Sequence, residues 1–370
     1  MSFTIENGVI TQYSGSETHL IIPDGVIRID DNVFEGHTEI QTVTFPESLT
    51  EIGNEAFMGC SSLKSIELSD NVTSIGSRAF YQCHSLEKVR LSKNLTKIPD
   101  QCFMETAISS IDLHEGITVI DNGAFAGCHN LKCVTVPDSV EEINVLAFGF
   151  DSNWDTRSKR IEDFELRGSI HSAARKYAHK YELRFVPIGE ETDLPEFEIK
   201  DGVLICYNGS SEHVNIPREV TEIGEYAFKA NRTLRSVTIP NTVTKIGFHA
   251  FEDCENLKEV DIPGSVKEIV AYAFMRCSRL KKVTLHNGLL IIGTWAFGNC
   301  KSLTFISIPK TVIKIDDNAL GYEESSYQDR YVHGIQHRYC YGLKIDQNGN
   351  EAVALYIARH RLTMILLRGV

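Results

Sequence analysis

The sequence predicts an α/β repeat solenoid, organised as two arrays of stacked short parallel strands that are each closed by a helix-strand cap. Three observations support this fold class. A phenylalanine recurs at a period of 23 residues, apolar and polar residues alternate after it, and the first half of the chain recurs in the second. A chain of 370 residues also exceeds the usual size of a single hydrophobic core, and repeats account for that length.

The repeat can be followed through the aromatic residue of an Ala-Phe pair. Its spacing is 23 residues except for one step of 22. Six units precede a pause in the pattern and five follow it, the last with leucine in place of the aromatic. The positions are Phe34, Phe57, Phe80, Phe103, Phe125 and Phe148, then Phe228, Phe251, Phe274, Phe297 and Leu320.

A short strand is predicted after the aromatic of each unit. Ile66 and Leu68 alternate with the polar Ser65 and Glu67, which is the period of a half-buried strand. No unit can bury its apolar face alone, so the units must stack. We therefore expect strands about 4.8 Å apart in one continuous parallel sheet along the solenoid.

The remaining positions of the repeat indicate turns and a core. A proline follows the strand in most units, where a residue without an amide hydrogen can end strand pairing. Glycines at positions 53, 76, 224, 247 and 293 predict a bend with positive φ. The small alanine before each phenylalanine lets adjacent coils approach, so we expect an internal ladder of phenyl rings.

A larger duplication divides the chain into two arrays. FTIENGVITQYSGSETHLIIP from Phe3 aligns with FEIKDGVLICYNGSSEHVNIP from Phe197, and FELRGSIHSAARKYAHKYELRF from Phe164 aligns with the segment from Leu343. The closing segment has apolar residues at helical spacing, followed by alternation typical of a strand. We predict a first array with its cap at 1–188, an acidic linker at 189–196, and a second array with its cap at 197–370.

Charge and hydropathy limit the partners and the compartment. A formal net charge of −13 argues against nucleic acid as a partner. The N-terminus lacks the features of a signal peptide, and no apolar stretch is long enough to span a membrane. We expect a cytoplasmic protein, with a secreted or cell-surface location as the alternative if an export signal has been removed.

The frame of Ile-Pro, Val, Ile-Gly, Ala-Phe, Cys and Leu at constant offsets, as in IPNTVTKIGFHAFEDCENLKEV, resembles the BspA-like leucine-rich repeats. The resemblance covers nearly the whole chain, including the opening element and the closing helix. It implies two leucine-rich-repeat-type arrays. It also implies a binding role, because members are often cell-surface proteins described as adhesins, and it carries over no catalytic residues.

Two groups of residues have the spacing of possible ligand sites. Cysteines three residues after the repeat aromatic form a column, and we favour a structural role for them because the position also holds His37, Thr106 and Asn231. No disulfide is predicted. In the excursion 321–342, His333, His337 and Cys340 have a spacing compatible with zinc, although a solvated loop is favoured there. The column comprises Cys60, Cys83, Cys128, Cys254, Cys277 and Cys300.

The leading functional hypothesis is a non-catalytic scaffold that binds a protein partner through the exposed side chains of the strands. The alternatives are a metal-binding or enzymatic site in the excursion 321–342, and a structural spacer without a ligand. No cofactor is predicted, and a monomer is favoured. The candidate partner-binding residues are Ser65, Glu67, Lys88, Arg90 and Asp112 in the first array and Ser236, Glu259, Asp261, Lys282 and Phe305 in the second.

Overall fold

The predicted repeat solenoid is confirmed by a computed structural model that describes residues 3–152, 159–189, 194–323, 338–339, 344–346 and 350–360. The chain divides into two compact units, residues 1–193 and 194–370. In both units a typical coil carries two short strands. We call the strand after the repeat aromatic the front strand and the strand before it the back strand. The linker boundaries at 189–196 stay a prediction.

In the first array the strands of both sets pair in parallel between neighbouring coils, with one interruption in each set, and a hairpin opens the back set. The front strands are β3 (His19–Ile21), β5 (Thr42–Thr44), β7 (Ser65–Glu67), β9 (Lys88–Arg90), β12 (Cys133–Thr135), β14 (Glu165–Gly168) and β15 (Arg184–Pro187). The hairpin is β1 (Phe3–Glu6) and β2 (Val9–Tyr13). The back strands are β4 (Arg28–Ile29), β6 (Glu51–Ile52), β8 (Ser74–Ile75), β10 (Lys97–Ile98), β11 (Val119–Ile120) and β13 (Glu142–Ile143).

The second array repeats this plan. Its front strands are β18 (His213–Asn215), β20 (Ser236–Thr238), β22 (Glu259–Ile262), β24 (Lys282–Leu285), β26 (Phe305–Ser307) and β30 (Lys344–Asp346). Its opening hairpin is β16 (Phe197–Lys200) and β17 (Val203–Tyr207). Its back strands are β19 (Glu222–Ile223), β21 (Lys245–Ile246), β23 (Glu268–Ile269), β25 (Ile291–Ile292) and β27 (Lys314–Ile315), and an antiparallel pair follows, β28 (Tyr322–Glu323) with β29 (Arg338–Tyr339).

A helix follows the last coil of each array. Helix α1 (Ala173–Tyr181) lies between β14 and β15, whereas residues after helix α2 (Glu351–His360) lie outside the described part of the chain. The Tyr177 hydroxyl donates to the Phe148 carbonyl and accepts from its amide, both at 3.0 Å. Tyr356 does the same for Leu320, at 3.3 and 3.0 Å. Each tyrosine thus satisfies backbone groups that a further coil would otherwise bind.

The predicted phenylalanine ladder forms the core of both arrays. In the first array the stacked rings have centroids 4.8 to 5.6 Å apart from Phe34 to Phe148, and in the second 4.7 to 5.2 Å apart from Phe228 to Phe297. Every ring is at most 1% exposed. The alanines before the rings are buried as well, so they belong to the same close-packed core.

The prediction of one continuous sheet per array is wrong. In the first array the front sheet stops at β9 and resumes at β12, across the 22-residue step where one residue is missing from the coil. The back sheet stops between β8 and β10. Gly53 and Gly76 each donate an amide to the preceding coil at this position, but Pro99 has no amide hydrogen to donate. The front sheet of the second array also divides, between β24 and β26.

The prediction of positive φ at the repeat glycines is also wrong. None of the glycines at 53, 76, 224, 247 and 293 has a positive φ, which occurs instead two residues later. A Cβ at Gly53 would lie 2.7 Å from the carbonyl carbon of Asp30, and one at Gly247 would lie 2.8 Å from that of Gly224. Glycine is required here because the backbone of the preceding coil passes too close for a side chain.

Candidate interaction surface

The predicted partner-binding residues of the first array are positioned by the register of the front strands. Ser65 pairs with Lys88 and Glu67 with Arg90, so alternate residues form two rows on the outward face. The side chains between them point into the core. Ser65 is half-buried, and the other three side chains are exposed. The structure therefore brings these four residues together on one surface.

Arg90 is held in place by its neighbours on this surface. Its guanidinium donates to the carbonyl oxygen of Leu68 and, at 3.2 Å, to Oδ1 of Asp70. It also lies 3.9 Å from Oε1 of Glu67, whose side chain is 82% exposed. A groove of about 570 Å³ runs beside these residues at the carboxyl ends of the strands. These ion pairs of Arg90 are too exposed to add much to the free energy of unfolding. Their main effect is to fix the position of the Arg90 side chain on the surface.

The second array has an equivalent surface. Ser236, Glu259 and Lys282 form one row in register, and Asp261 lies in the next row. The Asp261 carboxylate lies 2.7 Å from Nε2 of His286, and both side chains are more than half exposed. A groove of about 410 Å³ lies beside them. The corresponding strands of both arrays thus carry an outward polar face with a groove at the strand ends.

Two of the predicted residues do not belong to these rows. Asp112 lies in the segment 106–113, which forms no strand, so its placement on a strand face is wrong. It instead lines a groove of about 520 Å³ with Ile111, Leu113 and Val136. Phe305 is 43% exposed, but its strand β26 pairs with β30 and not with β24.

The predicted zinc-compatible residues His333, His337 and Cys340 lie outside the described residues. Within the part of the chain that the structure describes, no three His, Cys, Asp or Glu side chains are grouped as metal ligands would be. Among the described helices, none is both long and apolar enough to cross a bilayer.

Sequence reasoning missed a column of aromatic side chains two residues before the repeat phenylalanine. In the second array Tyr226, His249 and Tyr272 stack with ring centroids 5.2 and 4.7 Å apart and planes within 8°. Trp295 occupies the next position and packs with Tyr272 and Met275 in a cluster apart from the main core. We call these four stacked positions the aromatic column.

The first array carries polar side chains at the same positions. Asn32 donates to Glu55 at 3.0 Å, and Arg78 donates to Glu55 at 3.3 Å and to Gln101 at 3.0 Å. The backbone at these positions is left-handed in both arrays, with φ between 52° and 62°. The coil geometry is therefore compatible with aromatic and with polar side chains at this position. Aligning the two arrays position by position would have revealed this difference in side-chain type.

A buried carboxylate lies beside the aromatic column. Glu252 is 3% exposed, and its Oε1 accepts a hydrogen bond from Arg276 at 2.7 Å. Its Oε2 lies 2.8 Å from Nδ1 of His249 and 3.2 Å from Nζ of Lys229. Burial acts to raise the pKa of this carboxyl, but His249, Lys229 and Arg276 outweigh burial and hold the pKa at about 2. Glu252 therefore stays ionised and ties three successive coils together.

The cysteine column has a structural role in both arrays. Each of its six thiols donates to the carbonyl oxygen of the phenylalanine one coil earlier, at 3.1 to 3.2 Å. At the equivalent position Thr106 donates to the carbonyl of Phe103 at 2.9 Å. All nine described cysteines are free thiols. The column thus satisfies buried carbonyl groups beside the phenylalanine ladder.

Burial of the cysteine column predicts a low thiol reactivity. Burial raises the pKa of Cys60 to about 12 and that of Cys83 well above its usual value. At pH 8 a thiol with a pKa of about 12 is ionised in only about one molecule in 10⁴, and access is blocked as well. We expect iodoacetamide to modify the half-buried Cys133 at least ~100-fold faster than Cys83, as measured by mass spectrometry of the native protein.

The same labelling in urea provides the control, because unfolding should equalise the two rates. Rapid modification of Cys83 in the native protein would contradict the buried structural role of the column.

Coils with two short strands, an internal phenylalanine ladder and outward polar rows define a leucine-rich repeat solenoid. Residues 27–155 and 202–326 match the model of the BspA type leucine rich repeat region, in six copies. These ranges make up more than half of the chain, so the protein belongs to the BspA-type leucine-rich repeat family, and the resemblance seen in the sequence is confirmed.

Several solved structures of bacterial proteins are similar to this chain. A leucine-rich repeat protein from Bacteroides ovatus is 26% identical, with a TM-score of 0.49 over 85% of this chain and 82% of that chain. A leucine rich cell surface protein from Faecalibacterium prausnitzii is 22% identical, with a TM-score of 0.45 over 89% and 93%. The pneumococcal vaccine antigen PcpA is 20% identical, with a TM-score of 0.40 over 95% and 80%. No curated protein is significantly similar to the chain.

Proposed function

We propose that this protein is a non-catalytic scaffold that binds a protein partner through the outward faces of its front strands. The observation that carries the proposal is the alternation of buried and exposed side chains along each front strand. Val89 packs against the core between Lys88 and Arg90, which are both exposed and contribute nothing to the ladder. The fold does not require particular residues on this face, so the face is available for recognition.

The contact residues in this proposal are those of the two rows. In the first array they are Ser65, Glu67, Lys88 and Arg90 beside the 570 Å³ groove. In the second they are Ser236, Glu259, Asp261 and Lys282. Phe305 and, in the first array, Asp112 lie outside these rows and enter the proposal as separate contacts. Most of these side chains are small or charged and would supply specificity more than affinity. The half-buried Tyr226 and Tyr272 of the aromatic column add a residue type that often dominates interface energies, whereas Trp295 is buried.

We further propose a secreted or cell-surface location rather than the cytoplasmic one expected from the N-terminus. Membership of the BspA-type family supports it, together with the role as adhesins that the resemblance implies. Protease treatment of intact cells tests this proposal. Digestion of the protein at the surface is expected, whereas full protection until the cells are lysed would restore the cytoplasmic location.

Charge reversal on the front strands tests the binding surface. We expect the double variant Lys88→Glu with Arg90→Glu to lose at least ~10-fold in partner capture from native lysate, because rim charges across an interface control recognition. The full-length chain is immobilised, and partners are quantified by mass spectrometry. Both residues are exposed, so the melting temperature should change little.

The matched control reverses two exposed lysines that lie off the front strands and away from the groove, Lys159→Glu with Lys176→Glu. It makes the same change in net charge and should retain capture within ~2-fold. Equal capture by both double variants and the unmodified chain would remove the front strands of the first array from the proposal.

A further inference from the structure

A row of cationic side chains lies seven residues after the repeat phenylalanine in the second array. We call Arg235, Lys258 and Lys281 the basic column. The Lys258 amide donates to the Arg235 carbonyl at 2.9 Å, and the Lys281 amide donates to the Lys258 carbonyl at 2.8 Å. These bonds join successive coils, so the three residues stand side by side. All three are exposed, as is Lys282 at the start of the next front strand.

Most of the charge in this row has no partner within the described residues. Arg235 forms an ion pair with Glu212 at 2.9 Å, at one end of the column. Lys258, Lys281 and Lys282 form no ion pair with any described residue. Arg279 donates to the neutral amide oxygen of Asn256 at 2.8 Å, which leaves its charge uncompensated.

The acidic side chains of the same coils are engaged elsewhere or are not in contact with these cations. Glu252 and Asp253 bind Arg276, and Asp261 lies against His286. Glu255 and Glu259 are exposed but lie beyond ion-pair distance of the column. Lys258, Arg279 and Lys281 therefore remain without an ion pair to a described residue, whereas Lys282 lies opposite Glu259 in the strand register.

The first array shows that the fold does not require this arrangement. Its equivalent column contains Gln41, Lys64 and Glu87, joined by the same backbone bonds at 3.0 Å. Opposite charges are adjacent there, whereas like charges are adjacent in the second array. Adjacent like charges repel each other. The basic column therefore costs stability, and an external anion would relieve that cost.

We propose that the basic column docks a short acidic segment of a partner protein. The proposal rests on the proposed function as a protein-binding scaffold and specifies the chemistry of one contact. The column spans only three coils, about 10 Å, and the exposed Glu255 and Glu259 belong to the same coils. A long polyanion would extend onto acidic surface of a chain whose net charge is −13, but a segment of a few carboxylates fits. Flexible lysine side chains adapt to carboxylates that lack a rigid spacing.

The test uses the full-length chain and a fluorescein-labelled peptide of four glutamates, with binding followed by fluorescence anisotropy. We expect saturable binding that weakens as salt increases. The double variant Lys258→Glu with Lys281→Glu should bind at least ~10-fold more weakly. Lys258→Arg with Lys281→Arg keeps the charge and should bind within ~2-fold of the unmodified chain.

The matched control carries the same change in net charge at the equivalent column of the first array, Lys64→Glu with Lys132→Glu. Its affinity should stay within ~2-fold. Equal weakening by both charge-reversal pairs, or no binding of the peptide by the unmodified chain, would overturn the proposal. Tighter binding of a sulfated polysaccharide through the same lysines would also overturn it, because the occupant would then be a glycan.

Failure of this proposal can be distinguished from failure of the proposed function. Loss of peptide binding with undiminished partner capture refutes the acidic docking segment alone. Peptide binding that depends on Lys258 and Lys281, in a chain that captures no protein partner, refutes the scaffold function while the basic column stands as an anion site.

Discussion

Replacing Phe80 with alanine is expected to destabilise the first array by about 3 to 5 kcal/mol. The ring is fully buried and stacks between Phe57 and Phe103, with centroid distances of 5.4 and 5.6 Å. Its removal deletes two ring contacts and leaves a cavity in a one-dimensional core that neighbouring coils cannot easily fill. Urea unfolding followed by hydrogen exchange and mass spectrometry measures the effect and locates it along the chain.

The same chemical change at an exposed phenylalanine provides the control. Phe305 is 43% exposed, and Phe305→Ala should change stability by less than about 0.5 kcal/mol. The two arrays have separate hydrophobic cores, so exchange should accelerate in residues 3–152 and not in 194–323 when Phe80 is replaced. Equal effects of the two substitutions would mean that the phenylalanine ladder is not the main source of stability.

Replacing Glu252 with glutamine is expected to destabilise the second array by about 3 kcal/mol at pH 7. The substitution preserves shape but leaves Lys229, His249 and Arg276 clustered without their common counter-charge. The pKa of Glu252 is held at about 2, compared with 4.5 for an unperturbed glutamate, and each unit is worth about 1.4 kcal/mol. Urea unfolding of the full-length chain at pH 7 measures the loss.

The pH dependence gives this prediction a definite sign. The folded-state pKa lies below the unfolded-state value, so the unfolded chain binds a proton more readily. The stabilisation is therefore complete above about pH 4.5 and is lost as the pH falls towards about 2. The Glu252→Gln variant should lack this contribution to the acid sensitivity of the second array.

Asp261→Asn is the matched control for Glu252→Gln. Asp261 also contacts a histidine at 2.7 Å, but its side chain is 70% exposed. Exposed pairs contribute little, so this variant should lose less than about 0.5 kcal/mol. A comparable loss of stability from both substitutions would contradict the role of Glu252 as a buried ionised group that links three coils. An unchanged dependence of the free energy of unfolding on acidic pH in Glu252→Gln would contradict it as well.

The two arrays show how far position-by-position comparison can separate structural residues from recognition residues. Positions that point inward, such as the aromatic of each unit, stay apolar in both arrays. Positions that point outward differ. The column of Tyr226 and His249 corresponds to Asn32 and Glu55, and Lys281 corresponds to Glu87. The constant backbone therefore does not determine which residues occupy the outward positions.

The repeat pattern by itself determined the solenoid, the phenylalanine ladder and the outward rows of Ser65, Glu67, Lys88 and Arg90. These features follow from the period of the pattern, because hydrophobic residues at a constant spacing must stack to be buried. The ten candidate contact residues stay predictions, and so do the helix-strand caps as complete elements. The zinc-compatible residues of the excursion lie outside the described part of the chain.

Only the tertiary structure decided the features that depend on distances between coils. The repeat glycines are needed for close approach and not for positive φ, and Pro99 interrupts the back sheet because it lacks an amide hydrogen. Glu252 links three coils because Lys229 and Arg276 come from the coils on either side of it. A sequence shows which residue types recur, but the contacts between neighbouring coils depend on the closeness and orientation of their backbones. Those quantities exist only once the coils have stacked.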